Sequence, residues 1–287
     1  MSNAASVQHH SKTACITLDL ESDWFVDKPG RTYLTVENLD TYIELIQSVD
    51  VPVSVFVVGR LLEERPDVVE RLNAALDAEF HLHSYAHDPE MTEGFRSDLH
   101  EGIAAFESFF GHRPRGYRAP LGKISAQQIT TLDSEGFAFD SSIFPSYRPG
   151  AYNNLDAPTT PYRPANTDEL VEFPVGVIPY LRVPTAQSYL KLGGRSYLRL
   201  LDLLAPPEPL VFVSHLHDFF ETPANEYRSQ PMKAIQQRNI DESATLFEEF
   251  IERLRAMGYE FRTIETLYSE RVTESTGELD AERVAKS

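Results

Sequence analysis

Three of the nine histidines lie within seven residues, in the stretch HLHSYAH at 81–87. His83 and His87 are four positions apart, a spacing that places two imidazoles on one side of a helical turn. Two imidazoles and one carboxylate can bind a divalent cation and leave coordination positions for water and substrate. The stretch therefore predicts a metal site if a carboxylate reaches it; the alternative is a pair of ordinary loop histidines.

Carboxylates of the required kind follow an apolar run near the N-terminus. The segment DLESDW at 19–24 supplies Asp19, Glu21 and Asp23. Because residues two apart in a strand face the same side, Asp19 and Glu21 can reach one site. Asp23 is expected past the strand end, at the rim or in solvent. The alternative for all three is that they are solvated acids at a strand end.

Two later segments also carry polar side chains directly after apolar runs. RGYRAP at 115–120 contains Arg118, and VSHLHD at 213–218 contains His215 and His217. An arginine can hold a carboxylate ionised, and a histidine can donate a proton to a leaving group. Alternation puts His215 and His217 on the same face, so spacing does not choose between them as the acid. A surface arginine and a satisfied core histidine are the alternatives.

Strand-like and helix-like segments alternate along the chain and would position these residues. Apolar, β-rich runs predict strands at 14–20, 51–59, 115–120, 137–145, 170–178 and 210–220, and a strand that runs into a loop at 79–87. Helical spacing predicts helices at 36–50, 65–76, 97–111, 125–136, 195–204 and 240–258, and a Pro/Tyr/Asn-rich loop covers 146–169. Such alternation predicts one α/β domain with a mostly parallel sheet, whose strands share one rim at their carboxyl ends.

Composition excludes several classes of function. A formal net charge of −18 argues against a nucleic-acid partner, because a phosphate backbone would be repelled. Cys15, the single cysteine, lies in an apolar run and is expected in the core. No apolar run of about 18 residues predicts a membrane span, and the first residues lack the apolar core of a secretory signal. We expect a cytoplasmic protein with a disordered leader at 1–12, a domain at 13–270 and a disordered polar tail at 271–287.

The order of TLDLES, HSYAH, GYRAP, FDSSIFP and VSHLHD resembles the polysaccharide deacetylase family, the NodB-like carbohydrate esterases. The resemblance covers roughly residues 13–268, and several stretches are similar to a subgroup found beside exopolysaccharide and exosortase-type systems. It implies a distorted (β/α) barrel, often of seven strands. It also implies a metal-dependent hydrolase that removes N-acetyl groups from sugars or glycans.

The resemblance also implies a role for each residue. The family's first motif has two adjacent aspartates, whereas here Leu20 separates Asp19 from the next acid. We therefore assign Asp19 as the base and Glu21 as the metal ligand beside His83 and His87, with the reverse assignment kept open. His215 is expected to be the acid, Arg118 to orient Asp19, and Asp140 to support the site or cap a turn. The ion is expected to be Zn²⁺, with Co²⁺, Ni²⁺ or Mn²⁺ as alternatives.

Substrate contacts are expected from aromatic residues and from the turn after Arg118. Trp24 and Phe25 are candidates for a wall that stacks on a sugar, with Tyr85 and Tyr117 as further candidates. Pro120 and the backbone N–H of Leu121 are expected to face the substrate, where Leu121 would stabilise an oxyanion. Two alternatives keep this fold: an allantoinase-like hydrolase of cyclic amides or imides, and a barrel that only binds glycan. The sequence does not indicate an oligomeric state.

Overall fold

The computed structural model describes residues 12–26, 32–88 and 94–271. The predicted leader and polar tail lie outside the described residues, apart from Lys12 and Arg271. Over the described ranges, no helix has both the length and the apolar character needed to cross a membrane.

A parallel sheet is the centre of the fold. Its strands are β1 (Lys12–Leu20), β2 (Val53–Val57), β3 (Ala78–Leu82), β4 (Gly116–Tyr117), β5 (Phe139–Asp140), β8 (Val171–Glu172), β11 (Leu210–His215) and β12 (Tyr259–Phe261). Seven of them follow the order β11-β1-β2-β3-β4-β5-β8, and β12 pairs with the beginning of β1. All of these pairings are parallel. The predicted parallel sheet and distorted (β/α) barrel are confirmed.

Two short hairpins complete the strands. They are β6 (Tyr147–Arg148) with β7 (Tyr152–Asn153), and β9 (Val177–Ile178) with β10 (Val183–Pro184). The second hairpin fills the gap between the ends of the curled sheet. Gly176 N–H donates to the Val211 carbonyl (2.8 Å), and Val213 N–H donates to the Thr185 carbonyl (3.2 Å). A Cβ at Gly176 would lie 2.4 Å from side-chain atoms of Leu210 and Thr185, so only glycine allows this close approach.

Helices pack around the sheet within the described residues. They are α1 (Leu39–Val49), α2 (Gly59–Glu64), α3 (Pro66–Ala75), α4 (Phe95–Phe110), α5 (Ala126–Ser134), α6 (Gln187–Gly193), α7 (Arg195–Leu203), α8 (Leu216–Phe219), α9 (Met232–Gln237) and α10 (Ser243–Ala256). Of these, α6, α8 and α9 border the cleft described below. Short 3-10 helices lie at Leu34–Asn38, Pro120–Gly122, Pro223–Tyr227 and Ile240–Glu242, and residues 264–271 are helical. The central strands β1 and β2 are buried on both faces apart from Lys12, as continuous apolar runs predict. Cys15 is fully buried, which confirms its expected core position.

The structure differs from the predicted elements mainly where elements are short. α2, α6 and α9 have six or seven residues, too few for a helical period to stand out in the sequence. The predicted loop 146–169 contains the β6–β7 hairpin. The predicted strand at 170–178 is two short strands, separated by a segment with Pro174, which has no backbone donor for a sheet.

Candidate active site

The carboxyl ends of β1, β3, β4 and β11 meet around a cleft of about 480 Å³. This is the rim at which side chains of a parallel α/β barrel converge. β1 and β11 are neighbours, with Asp19 directly opposite His215 in the register. The predicted residues that line the cleft are Asp19, Glu21, Trp24, His83, His87, Arg118, Leu121 and His215.

A buried ion pair lies at the floor of the cleft. Arg118 Nη1 donates to Asp19 Oδ1 (2.7 Å) and to Thr17 Oγ1 (2.7 Å). Arg118 Nε and Nη2 donate to the carbonyl (2.8 Å) and hydroxyl (2.9 Å) of Ser141. The guanidinium also lies 4.0 Å from the centre of the Phe56 ring. Because five contacts hold one planar group, Arg118 fixes the position of one Asp19 oxygen and leaves the other free.

Glu21, His83 and His87 form a cluster in which one potential ligand atom from each residue lies within 4.8 Å of the others. Glu21 Oε2 is 2.6 Å from His87 Nε2 and 3.8 Å from His83 Nε2. The Nδ1 atom of His83 lies 2.8 Å from the Arg118 carbonyl. That contact fixes the ring's tautomer with Nε2 free for a ligand bond, the usual arrangement of a metal-binding histidine. The three residues therefore fit a divalent cation.

Electrostatics keep Glu21 ionised. Burial alone would raise the pKa of its carboxyl, but the neighbouring imidazoles of His87 and His83 lower it well below its usual value. Trp24 Nε1 donates to Glu21 Oε1 (2.9 Å), and the indole stacks on the His87 ring at 5.2 Å between centroids. A charged carboxylate with neighbouring imidazoles is the chemistry of a cation site.

Two other groups of potential ligands occur in the described part of the chain, at His215–His217–Asp218 and at Glu79–His81–Glu265. In the second, Glu79 Oε1 already accepts hydrogen bonds from Ser54 Oγ and the Glu265 N–H and contacts His81 Nε2. His81 is fully buried between Phe56 and Phe139, a structural position inside the barrel.

The HSYAH segment is a loop and not the helical turn that the spacing of its histidines suggested. Ser84 and His87 have positive φ angles of 61° and 57°, and the His87 N–H donates to Ser84 Oγ (2.9 Å). Asp98 of α4 accepts hydrogen bonds from the N–H groups of Tyr85 (2.9 Å) and Ala86 (2.8 Å). Asp98 therefore fixes the conformation of the loop through two backbone amides, a role that the sequence analysis missed.

His215 is oriented by an acid three residues later in α8. Its Nδ1 lies 3.0 Å from Asp218 Oδ2, and its Nε2 lies 3.7 Å from Asp19 Oδ2. Burial lowers the pKa of His215, but the bond to Asp218 and the charge of Glu21 outweigh it and raise the pKa to about 9. His217 stacks on His215 at 4.9 Å, and burial lowers its pKa to about 3. The two rings therefore differ in charge near neutral pH.

Two predicted substrate contacts lie outside the cleft. Tyr85 lies on the outer side of its loop, where its hydroxyl donates to Glu63 (2.9 Å) and the Arg60 guanidinium covers its ring. Pro120 is buried at the start of a 3-10 turn and does not line the cleft. The structure therefore does not bring Tyr85 and Pro120 to the cleft with the other predicted residues.

Asp23 and Tyr117 are also placed differently from the expectation. Asp23 is buried, and its carboxylate accepts hydrogen bonds from Leu34 N–H and from Thr35 N–H and Oγ1. It caps the 3-10 helix that follows, so it is neither solvated nor part of the metal cluster. Tyr117 is buried in a hydrophobic cluster beside Phe95 and Phe137.

The turn after Arg118 places Leu121 at the cleft. Gly122 N–H donates to the Ala119 carbonyl (3.0 Å) and Lys123 N–H to the Pro120 carbonyl (3.1 Å). These bonds close the turn without using the N–H of Leu121. Leu121 lines the cleft in a left-handed conformation, with φ 55°. The position is suitable for an amide that binds an oxyanion.

Two further buried carboxyls, those of Asp140 and Glu172, support this turn. Ser142 Oγ accepts from the Ala119 N–H (2.8 Å) and donates to Asp140 Oδ1 (2.5 Å). Burial raises the pKa of Asp140 to about 6 and that of the neighbouring Glu172 well above its usual value. Asp140 is thus linked through Ser142 to the segment that carries Arg118, in agreement with the expected supporting role.

Comparison with known proteins gives a match over part of the chain. Residues 7–139 match the family model described as polysaccharide deacetylase. Over these residues, a little less than half of the chain, the protein is similar to the polysaccharide deacetylase family. The match includes the segments with Asp19, Glu21, His83, His87 and Arg118, whereas His215 lies beyond it. The exosortase-associated subgroup stays a prediction.

Individual relatives are more distant. A peptidoglycan deacetylase-like protein from Gibberella zeae is 38% identical over 72 residues, which are 23% of this chain and 20% of that protein. A pseudoenzyme of carbohydrate esterase family 4 from Bacillus anthracis has a TM-score of 0.54 at 13% identity, over 90% of this chain and 66% of its own. An allantoinase has a TM-score of 0.59 at 17% identity, over 90% and 89%. At such identities the structural likeness concerns the fold alone.

Proposed function

We propose that this protein is a metal-dependent hydrolase that removes the acetyl group from the nitrogen of an amino sugar. One observation carries the proposal: the Glu21–His83–His87 cluster, the Asp19–Arg118 pair and the His215 ring line one cleft. A ligand set, a base and an acid within reach of one substrate atom are what amide hydrolysis requires. A glycan-binding barrel would have no use for all three.

Glu21, His83 and His87 would hold the divalent ion, with Zn²⁺ favoured because two imidazoles and one carboxylate with open positions are typical of catalytic zinc sites. When bound there, the ion polarises the acetamide carbonyl and lowers the pKa of water in the site. Co²⁺, Ni²⁺ and Mn²⁺ are alternatives that the same ligands accept.

Asp19 is the proposed base. Arg118 holds Oδ1, and Oδ2 remains free beside His215. A carboxylate held by a guanidinium keeps a fixed orientation, so that Oδ2 can accept a proton from the attacking water. The arrangement favours Glu21 as ligand and Asp19 as base over the reverse, because Asp19 is committed to Arg118 and Glu21 to the histidines.

His215 is the proposed acid. Asp218 holds its Nδ1, which leaves Nε2 facing the cleft to protonate the departing amine. The pKa values support this choice over His217: His215, raised to about 9, carries a proton at neutral pH, and His217, lowered to about 3, does not. The N–H of Leu121 would stabilise the negative charge that develops on the acetyl oxygen.

Trp24 and Phe25 supply the proposed sugar-binding wall. Trp24 is 42% exposed and lines the cleft beside His87, and Phe25 lines it beside His217. An exposed indole at the mouth of a cleft is suited to stack on the apolar face of a sugar ring. The substrate is therefore proposed to be an N-acetylated sugar or glycan, as for the family, and a cytoplasmic setting stays a prediction.

Acetate release tests the proposal directly. Purified protein with Zn²⁺ or Co²⁺ is incubated with N-acetylglucosamine oligosaccharides, and separately with allantoin and hydantoin, whose ring opening would indicate the alternative cyclic-amide activity. We expect acetate from the sugars, no ring opening, and loss of turnover in Asp19→Asn without loss of bound metal. Ring opening without acetate release would replace the proposed reaction, and full activity of Asp19→Asn would contradict the base assignment.

A further inference from the structure

The charge of the cleft is opposite in sign to that of the chain. Four cationic side chains and three carboxylates line it: Arg118, Arg148, Lys191, Arg228, Asp19, Glu21 and Asp218. The whole chain has a formal charge of −18. A cation bound by Glu21 would make the cleft more positive still. Cationic side chains concentrated in a recess attract anionic ligands, which is unexpected for a cleft that binds only a neutral acetamido sugar.

Arg228 has an unused hydrogen-bonding edge. Its guanidinium stacks on the Phe25 ring at 3.6 Å from the ring centre. Its Nε and Nη2 atoms are buried and have no hydrogen-bond partner in the described part of the chain. These two N–H groups form the parallel fork that binds two oxygens of a phosphate or carboxylate. A buried donor edge without a partner is costly, and a ligand anion would remove that cost.

Lys191, on α6, also has a buried polar atom without a hydrogen-bond partner in the described part of the chain. Its side chain is 2% exposed, and Nζ lies 3.6 Å from Asp218 Oδ1 with no hydrogen bond within the ranges described. Burial lowers the pKa of Lys191; Asp218 opposes this shift, and the charge of Arg228 adds to it. Lys191 and Arg228 line the same cleft. An anion bound there could contact both side chains.

We propose that the cleft contains a phosphate subsite at Arg228 and Lys191, so that the substrate is an N-acetylated sugar linked to a phosphate or diphosphate. The inference rests on the proposed deacetylation and narrows its substrate from a neutral glycan to a phosphate-linked sugar. The fork of Arg228 binds two phosphoryl oxygens, and the Lys191 ammonium provides a point charge beside it.

The neighbouring surface indicates what else the phosphate carries. The helices and loop that present the two cations also expose Leu192, Met232 and Ile235 at the cleft, at 38%, 48% and 45%. A sugar-linked phosphate can also be attached to a nucleotide or to a prenyl chain. An apolar border next to the cations favours the prenyl-linked form.

The test compares sugars that differ in the phosphate. Binding by calorimetry and acetate release are measured with N-acetylglucosamine, N-acetylglucosamine 1-phosphate, the uridine diphosphate sugar and a farnesyl phosphate-linked sugar. We expect the phosphorylated sugars to bind about tenfold more tightly than the neutral one, the contribution of one or two charge-assisted hydrogen bonds. Arg228→Gln should abolish most of this preference, and Arg228→Lys should retain part of it.

Arg199→Gln is the matched control, because it removes the same charge from an exposed helix position away from the cleft. It should keep the full preference. An equal affinity for neutral and phosphorylated sugars, or an unchanged preference in Arg228→Gln, would overturn the subsite. Acetate release without a phosphate preference would support the proposed deacetylation and contradict the phosphate subsite. An Arg228-dependent phosphate preference without acetate release would support the subsite and contradict the deacetylation.

Discussion

At the scale of the residue, the neighbour that distinguishes His215 from His217 is Asp218. Both rings line the cleft and stack on each other, yet Asp218 bonds to the Nδ1 of His215 and lies only within 4.0 Å of His217 Nε2. A histidine bonded to a carboxylate keeps its proton and its orientation. The end of β11 and the adjoining α8 therefore supply one cationic and one neutral imidazole.

Replacing each ring separately tests this assignment. In His215→Ala we expect kcat to fall by about 10²–10⁴-fold, the usual contribution of a general acid, with little change in bound metal. His217→Ala should cost much less, since its ring is not protonated near neutral pH. The measurement is steady-state acetate release from an N-acetylated sugar. A greater loss in His217→Ala would transfer the role of the acid to that ring.

The buried pair Asp140 and Glu172 makes a prediction about stability. Burial raises the pKa of Asp140 to about 6 and that of Glu172 further above its usual value. Since the folded state then binds more protons than the unfolded chain, stability falls as pH rises through about 6. Glu172→Gln removes one titrating group and supplies a permanent donor. We expect the free energy of unfolding in urea to fall less between pH 5 and pH 8 in this variant.

The matched control is Glu169→Gln, at an exposed position of the same segment. It should follow the unchanged protein at both pH values. If Glu172→Gln instead loses more stability than the unchanged protein at pH 8, the pair would not share a proton in the folded state.

At the scale of the element, the loop between β3 and α4 positions the two histidines of the proposed metal site. Its two histidines converge because Ser84 and His87 adopt positive φ angles and because Asp98 fixes the amides of Tyr85 and Ala86. Positive φ is uncommon outside glycine and persists only when surrounding contacts enforce it. The conformation of the loop therefore depends on its hydrogen bonds to α4 as well as on the residues of the loop itself.

Asp98→Ala would leave the Tyr85 and Ala86 amides without their partner. We expect a metal affinity about 10- to 100-fold weaker, the typical effect of losing an outer support of a metal site. Competition with a chelator measures it. Asp98→Asn, which keeps one acceptor oxygen, should lose less. Unchanged metal affinity in Asp98→Ala would show that the loop holds its shape without α4.

The elements also show where sequence reasoning succeeds. The central strands and long helices were predicted because continuous apolar runs and helical spacing over ten or more residues are distinctive. The convergence of Asp19, Glu21, His83 and Arg118 on one cleft could be predicted because strand ends share a rim. The positions of Tyr85 and Pro120 outside the cleft could not be predicted, because the direction of a side chain in a turn depends on backbone angles that residue types do not specify. Lys191 and Arg228 were missed because they belong to short segments without a periodic signal.

At the scale of the whole molecule, the curled sheet brings together residues almost 200 positions apart. Asp19 and His215 are direct neighbours across β1 and β11. The hairpin of β9 and β10 fills the gap at the edge of the sheet, and an acidic surface encloses a cleft with an excess of cations. The barrel thus supplies rigid positions for the proposed metal, base and acid, and the loops on its rim would select the substrate.

The most direct measurement is metal stoichiometry in the full-length protein and three variants, after removal of metal and addition of Zn²⁺. One equivalent should bind to the unchanged protein and to Asp19→Asn, whereas Glu21→Gln and His83→Ala should bind far more weakly. That result would place Glu21 and the two histidines around one ion and leave Asp19 as the base. Equal zinc content in all four proteins, or loss of zinc only in Asp19→Asn, would contradict it.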